Sequence, residues 1–312
     1  MDNNDHSQIE FPPLPIDIFR EIVEFASYSS RPTALALTLV SSATRSWSLS
    51  AIYETVLLRS VAAVKQFQFS VRSSSRPNSR LAVRFPVARR VKHLGIMALG
   101  PINLVQDIIT QCSNLESLAC GIPFPQQTAT TRQYTQSPTK PVVERHLLGI
   151  SCRDGIPFSA LSPHVTHLHV QLASCQALSS LSDLHDHLPD LTYLALSLPT
   201  KALTGFHSLR SVIDHMLEHN SHLVLILVQI TDLSNEGFCM WSRDLTSELD
   251  IRVVVRRAPK SAVEQWRSAC MSTHQGFWTE ATEEIRKRRD HQQLKKNLLG
   301  QYIINRHSTR NY

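Results

Sequence analysis

Histidines and cysteines are the residues of this chain with most chemistry to offer, and their spacing decides what they can do. Fifteen histidines include two crowded groups, His164, His167 and His169, and His185 with His187. No cysteine or histidine set has the paired short spacings of a zinc site, and neither HExxH nor HxxEH occurs. The six cysteines, Cys112, Cys120, Cys152, Cys175, Cys239 and Cys270, are scattered without a CxxC pair. They read as reduced, mostly buried thiols of a cytosolic or nuclear protein. Ser182, Asp183, His185 and Asp186 supply the residue types of a hydrolytic triad, but on a helix they point to different faces or to solvent. There is no GxSxG elbow, no Gly-rich phosphate loop and no paired-glycine fingerprint, and only nine glycines in all. These residues imply no enzyme, no cofactor and no metal, so the question becomes what the chain binds.

Charge offers one answer. The net charge of +6 is unevenly placed: residues 55–106 contain no carboxylate, yet hold Arg59, Lys65, Arg72, Arg76, Arg80, Arg84, Arg89, Arg90 and Lys92. A second run, Arg286-Lys287-Arg288-Arg289 with Lys295 and Lys296, lies near the C-terminus. Such runs serve nucleic acid or a nuclear address. With only Phe67, Phe69 and Phe85 interleaved and no Trp or Tyr to stack on bases, a solvated basic face or a surface for an acidic protein is the better expectation. A hydrophobic content of 42% over 312 residues suffices for one or two well-cored domains. The polar start MDNNDHSQIE and the short longest apolar run, residues 223–228, predict neither a signal peptide nor a membrane anchor.

The elements that position these residues are legible as a repeat. One six-residue frame with apolar first, fourth and sixth positions occurs as VKHLGI from Val91, LESLAC from Leu115, VTHLHV from Val165, LTYLAL from Leu191 and LVLILV from Leu223. Weaker copies lie near Leu148 and Ile251. Positions four and six share one face of a strand, and position one anchors its entry. Helical periodicity falls between frames, at residues 102–111, 178–188 and 209–219. One strand and one helix per unit predict an α/β stack around a mainly parallel sheet, and a compact α/β domain would read almost the same. If positions one, four and six face the core, then Lys92, His93, Glu116, Ser117, Thr166, His167, His169, Thr192 and Tyr193 face the open side of the sheet. His93, Ser117, His167 and Tyr193 hold equivalent positions and are expected to form a row, stepping about 4.8 Å between neighbouring strands. The row offers hydrogen bonds and flat apolar contact together. The last frame is apolar on both faces at Val224, Leu225 and Leu227, so residues 233–299, with Trp241, Leu245, Val263, Trp266 and Ile285, are expected to cover it.

Residues 12–53 hold too much apolar surface to bury alone. Leu14-Pro15 opens a helix with Asp17 in its first turn. Two stripes follow, Ile18, Ile22 and Phe25 beside Phe19, Val23 and Ala26, making an apolar arc wider than one packing contact requires. A second apolar helix spans 34–40 and leads to Trp47 and Tyr53. The Leu14-Pro15 start, the Ile18/Ile22 helix, the Leu39-Val40-Ser41 step and Trp47 six residues after Ser41 resemble an F-box. That resemblance covers about an eighth of the chain. It implies docking to a Skp-type adaptor, and through it to a cullin, by Leu14, Pro15, Ile18, Phe19, Ile22, Val40 and Trp47. The repeat frame resembles a leucine-rich repeat, a frequent companion of the F-box. The Asn or Cys that such repeats carry after the frame is replaced here by Leu99, Pro123, Ala173, Pro199 and Thr231, so the stack is expected to be irregular.

The expected organisation is a loose tail (1–10), an F-box-like helical module (11–55), a basic connecting segment (56–90), an irregular leucine-rich-repeat-like α/β domain (91–280), and a basic C-terminal helix and tail (281–312). Residues 124–140 and about 300–312 are also expected to be loosely ordered. The resemblance implies a non-catalytic substrate-recognition subunit of a Skp–cullin–F-box type ubiquitin ligase, cytoplasmic or nuclear. It would read a protein target through Lys92, His93, Glu116, Thr166, His167, His169 and Tyr193. Two alternatives stay open: an interaction protein whose F-box has decayed, and a nucleic-acid-associated factor using residues 59–92.

Overall fold

The computed structural model describes residues 14–75, 86–98, 100–120, 144–148, 158, 161–172, 175–200, 206–232, 238–239, 250–271 and 276–308. Residues 1–10, 124–140, Trp241 and Leu245 lie outside the described residues.

Three helices open the chain: α1 (Ile16–Ser29), α2 (Arg31–Leu37) and α3 (Ser42–Glu54). Serine hydroxyls set the later starts. Ser30 Oγ accepts the Thr33 amide at the start of α2, with Pro32 in its first turn. Ser41 and Thr44 form a reciprocal capping box on α3, in which Ser41 Oγ accepts the Thr44 amide at 3.1 Å and Thr44 Oγ1 accepts the Ser41 amide at 3.0 Å. The helices meet through small buried residues. Val23, Ser27, Ala34, Thr44, Ser48 and Ile52 form the contact, with Ser27 and Ser48 hydroxyls 2.9 Å apart. Small side chains bring the backbones close but bury little apolar area, so most of the α1 stripe stays outside.

α3 runs straight into strand β1 (Thr55–Leu58), the first of eight parallel strands. The others are β2 (His93–Ile96), β3 (Ser117–Cys120), β4 (Glu144–Leu148), β5 (Val165–Gln171), β6 (Tyr193–Pro199), β7 (Leu225–Thr231) and β8 (Val253–Arg257), and they lie side by side in chain order. β4 and β8 are the two weaker copies of the frame. The strand at 55–58 was not expected, nor were the helices α4 (Val61–Ser75) and α5 (Val87–Arg90) that follow it. The described part of the basic segment, residues 56–75 and 86–90, is therefore not a connector but the first unit of the stack. The six-residue frame is present there as YETVLL, with Tyr53, Val56 and Leu58 at its apolar positions, but its first two residues belong to α3, so the frame is hidden in the end of a helix.

The crossovers α4, α5, α6 (Ile102–Gln111), a 3-10 helix (Cys175–Asp183), α7 (Leu184–His187) and α8 (Phe206–His219) all pack on one face. There they meet frame positions four and six: Leu94 and Ile96, Leu118 and Cys120, Leu168 and Val170, Leu194 and Leu196, Ile226 and Val228 are all buried. The expected helix at 178–188 is mostly 3-10, because Ser180 and Ser182 hydroxyls donate to the carbonyls of Ala177 and Ser179 and compete with α-helical bonding. Among the described residues the strand order never reverses, so the parallel α/β sheet they form shows no topological switch point, the crevice where open doubly wound sheets hold nucleotides.

Two helices after the last strand, α9 (Ala262–Met271) and α10 (Phe277–Ser308), cover the opposite face. Trp266 of α9 packs against Leu57, Met97 and Ala119; Trp278, Ala281 and Ile285 of α10 pack on Ala195, Leu225, Leu227 and Val254. Close approach needs small residues beneath. A Cβ added at Gly95 would sit 2.9 Å from the Trp266 ring and 2.5 Å from Leu57 Cδ1, so glycine is required there for space.

Candidate interaction surfaces

The first surface is the outer side of the N-terminal helices. Ile18 is 45% exposed, Ile22 52%, Val40 68% and Phe25 77%, and Leu14, Ile16, Tyr28, Leu35 and Leu39 are exposed with them. Most of the exposed large hydrophobic side chains among the described residues fall between Leu14 and Val40. Phe19 is tied down by an edge contact with the half-buried Trp47, ring centroids 5.9 Å apart, and Pro15 is exposed at the head of α1. The structure thus brings all seven residues expected to meet an adaptor onto the three-helix module, five of them, Leu14, Pro15, Ile18, Ile22 and Val40, well exposed. Exposed apolar side chains gathered on one module in this way are the kind of surface that protein partners cover.

The module is fixed to the sheet. Glu54, at the junction of α3 and β1, receives Lys92 Nζ at 2.7 Å, and its backbone carbonyl accepts the Lys92 amide at 3.0 Å. Partial burial and the Glu54 carboxylate push the Tyr28 phenol up to about 12, so Tyr28 stays protonated and donates to Glu54. Arg90 adds a bond to Ser50 from α5 to α3. Lys92, expected on the open face, is instead part of this junction, because frame position two lies at the entry edge of the sheet.

The second surface is the row on the sheet. Its register is as expected: His93 pairs with Ser117, Ser117 with Arg145, Arg145 with His167, and His167 with Tyr193. Its exposure is not. The face expected to be open lies beneath α9 and α10. Ser117 is 2% exposed and accepts Trp266 Nε1–H at 2.8 Å. His167 stacks on Tyr193 with centroids 4.3 Å apart, and Trp278 presents its ring edge to both. His169 is also 2% exposed. Its Nε2 lies 2.8 Å from Ser197 Oγ, which donates to Gln229 Oε1 at 2.9 Å. Since the Ser197 proton goes to Gln229, His169 donates through Nε2–H. Burial pushes the imidazole down to about 4, against a smaller opposing effect of Gln229, and keeps it neutral. Thr166 bonds the His167 ring at 2.8 Å, and Glu116 remains exposed.

Sequence reasoning missed Phe277, Trp278, Ser197 and Gln229. A signal existed for some: adjacent Phe277-Trp278 stands out in a polar stretch, and Gln229 interrupts an otherwise aliphatic strand.

Part of the basic charge is paired within the chain. Arg59 pairs with Glu264 at 2.6 Å, Arg72 with Asp107 at 2.9 Å, Arg286 with Glu283 at 2.7 Å, and Arg288 with Glu284. Arg76, Arg80 and Arg84 lie outside the described residues. Among the described residues, no group of three His, Cys, Asp or Glu side chains could hold a metal ion, and no helix is long and apolar enough to cross a membrane. No family model, curated protein or solved structure matches the chain.

Proposed function

We propose that this chain is the substrate-recognition subunit of a Skp–cullin–F-box type ubiquitin ligase. The three-helix module would dock a Skp-type adaptor, and the parallel stack, read as an irregular leucine-rich-repeat-like domain, would present a protein target. The chain would carry out no chemistry itself. The observation that supports this reading most is the concentration of exposed aliphatic and aromatic side chains on α1 and α2, above a small module core in which Ser27, Ala34, Thr44 and Ser48 accompany Val23 and Ile52. Such a module gains its missing apolar burial from a partner, at about 1.5–3 kcal/mol for each large side chain covered. The ion pairing of Arg59, Arg72 and Lys92 supports a protein partner over nucleic acid, since a paired cation releases fewer counterions.

The test is co-expression with a Skp-type adaptor and a cullin, with Ile18→Asp/Ile22→Asp as the comparison. Both side chains point outward, so the double change leaves the module folded and places two charges in the contact. Capture of adaptor and cullin by the wild type, lost in the variant, is the expected result. Equal capture by both would sink the reading, and capture of adaptor without cullin would favour an interaction protein outside a ligase.

A further inference from the structure

The two faces of the sheet are both buried, yet they differ in kind. Where its side chains are described, the crossover face of the strands is apolar, whereas the face under α9 and α10 holds Ser117, His167, His169, Tyr193, Ser197 and Gln229. A cover with only a structural role is best served by apolar residues on both sides, because each buried polar group costs free energy unless it is partnered. Here the partners come from the cover and from the face itself: the Trp266 indole on Ser117, the Trp278 edge on His167 and Tyr193, Phe277 beside His169. A ligand that brings the same groups could replace them.

We infer that α9 and α10 form a liftable cover over the target-reading face, occupying it with this chain's own aromatic side chains until a target segment displaces them. The inference rests on the proposed role of the stack as target reader. The topology permits the motion, because both helices follow the last strand and their departure breaks no strand pairing. Besides the buried contacts of Trp266, Trp278, Ala281 and Ile285 and the bond from Arg288 to the Val253 carbonyl, the cover is held by ion pairs at the rim: Arg256 pairs with Glu280 at 2.8 Å and Glu284 at 3.1 Å, and Arg59 pairs with Glu264 where both are exposed. Solvent screening makes such pairs weak individually. The target that fits is a protein segment carrying neighbouring aromatic residues and an N–H donor, matching what Trp266, Phe277 and Trp278 supply.

Hydrogen exchange read by mass spectrometry on the full-length chain tests this without a target and without the adaptor, so failure of adaptor docking leaves the result unaffected. Amides of 278–288 are expected to exchange about 100-fold faster than those of β6 and β7, as a separate opening below global unfolding. Arg256→Ala, which also removes a bond to the Glu280 carbonyl, should speed exchange of the cover alone by roughly tenfold. Glu280→Gln tests the same fastening should the arginine variant not fold. Exchange of 278–288 in step with β6 and β7, in wild type and variant alike, overturns the inference.

Discussion

His169 makes the stability of this protein depend on pH in a way that can be calculated. Its imidazole is fully enclosed between β5, the Ser197–Gln229 pair and Phe277, and its folded pKa is about 4, against 6.5 for the free side chain. Between those values the unfolded chain binds a proton that the folded chain refuses. Stability contributed by the neutral ring is therefore complete above pH 6.5 and is lost as pH falls toward 4. A gap of about 2.5 pH units at about 1.36 kcal/mol per unit amounts to about 3 kcal/mol, of which about 2 kcal/mol is gone by pH 5. The measurement is a set of urea unfolding curves at pH 7, 6 and 5 for the wild type and for His169→Gln, whose amide keeps a donor toward Ser197. The difference between the two curves cancels every other titrating group. Wild-type stability should fall by about 2 kcal/mol relative to the variant between pH 7 and pH 5. Parallel pH profiles would refute the argument, because they would mean the ring takes up its proton in the folded state without penalty.

Other expectations concern the cover and what lies under it. Gly95→Ala forces a methyl group into Leu57 and Trp266 and should destabilise by about 1–3 kcal/mol, visible as a lower denaturation midpoint with unchanged slope. Trp266→Phe leaves the buried Ser117 hydroxyl with only the weak Cys270 thiol donor at 3.6 Å and should cost about 1–3 kcal/mol, part of which Ser117→Ala in the same chain recovers; a double-mutant cycle with no coupling would count against that hydrogen bond.

Much of this protein is written locally. The apolar first, fourth and sixth positions of each frame specify which strand face meets the crossovers, and the register of His93, Ser117, His167 and Tyr193 follows from that alignment. The parallel α/β architecture, the helices at 102–111 and 209–219, and the surplus of apolar residues on α1 follow from the same short-range periodicities. What periodicity carries is the side of an element a residue occupies, since strand and helix repeats are properties of neighbouring residues. What covers that side is decided by partners far away in the chain. Trp266 reaches Ser117 across 149 residues, and no local pattern records that contact. For the same reason the sheet face looked open and Lys92 looked like part of it. Each belongs to a surface completed only when distant segments pack, and there the tertiary structure alone determined whether a polar row meets water or an indole ring.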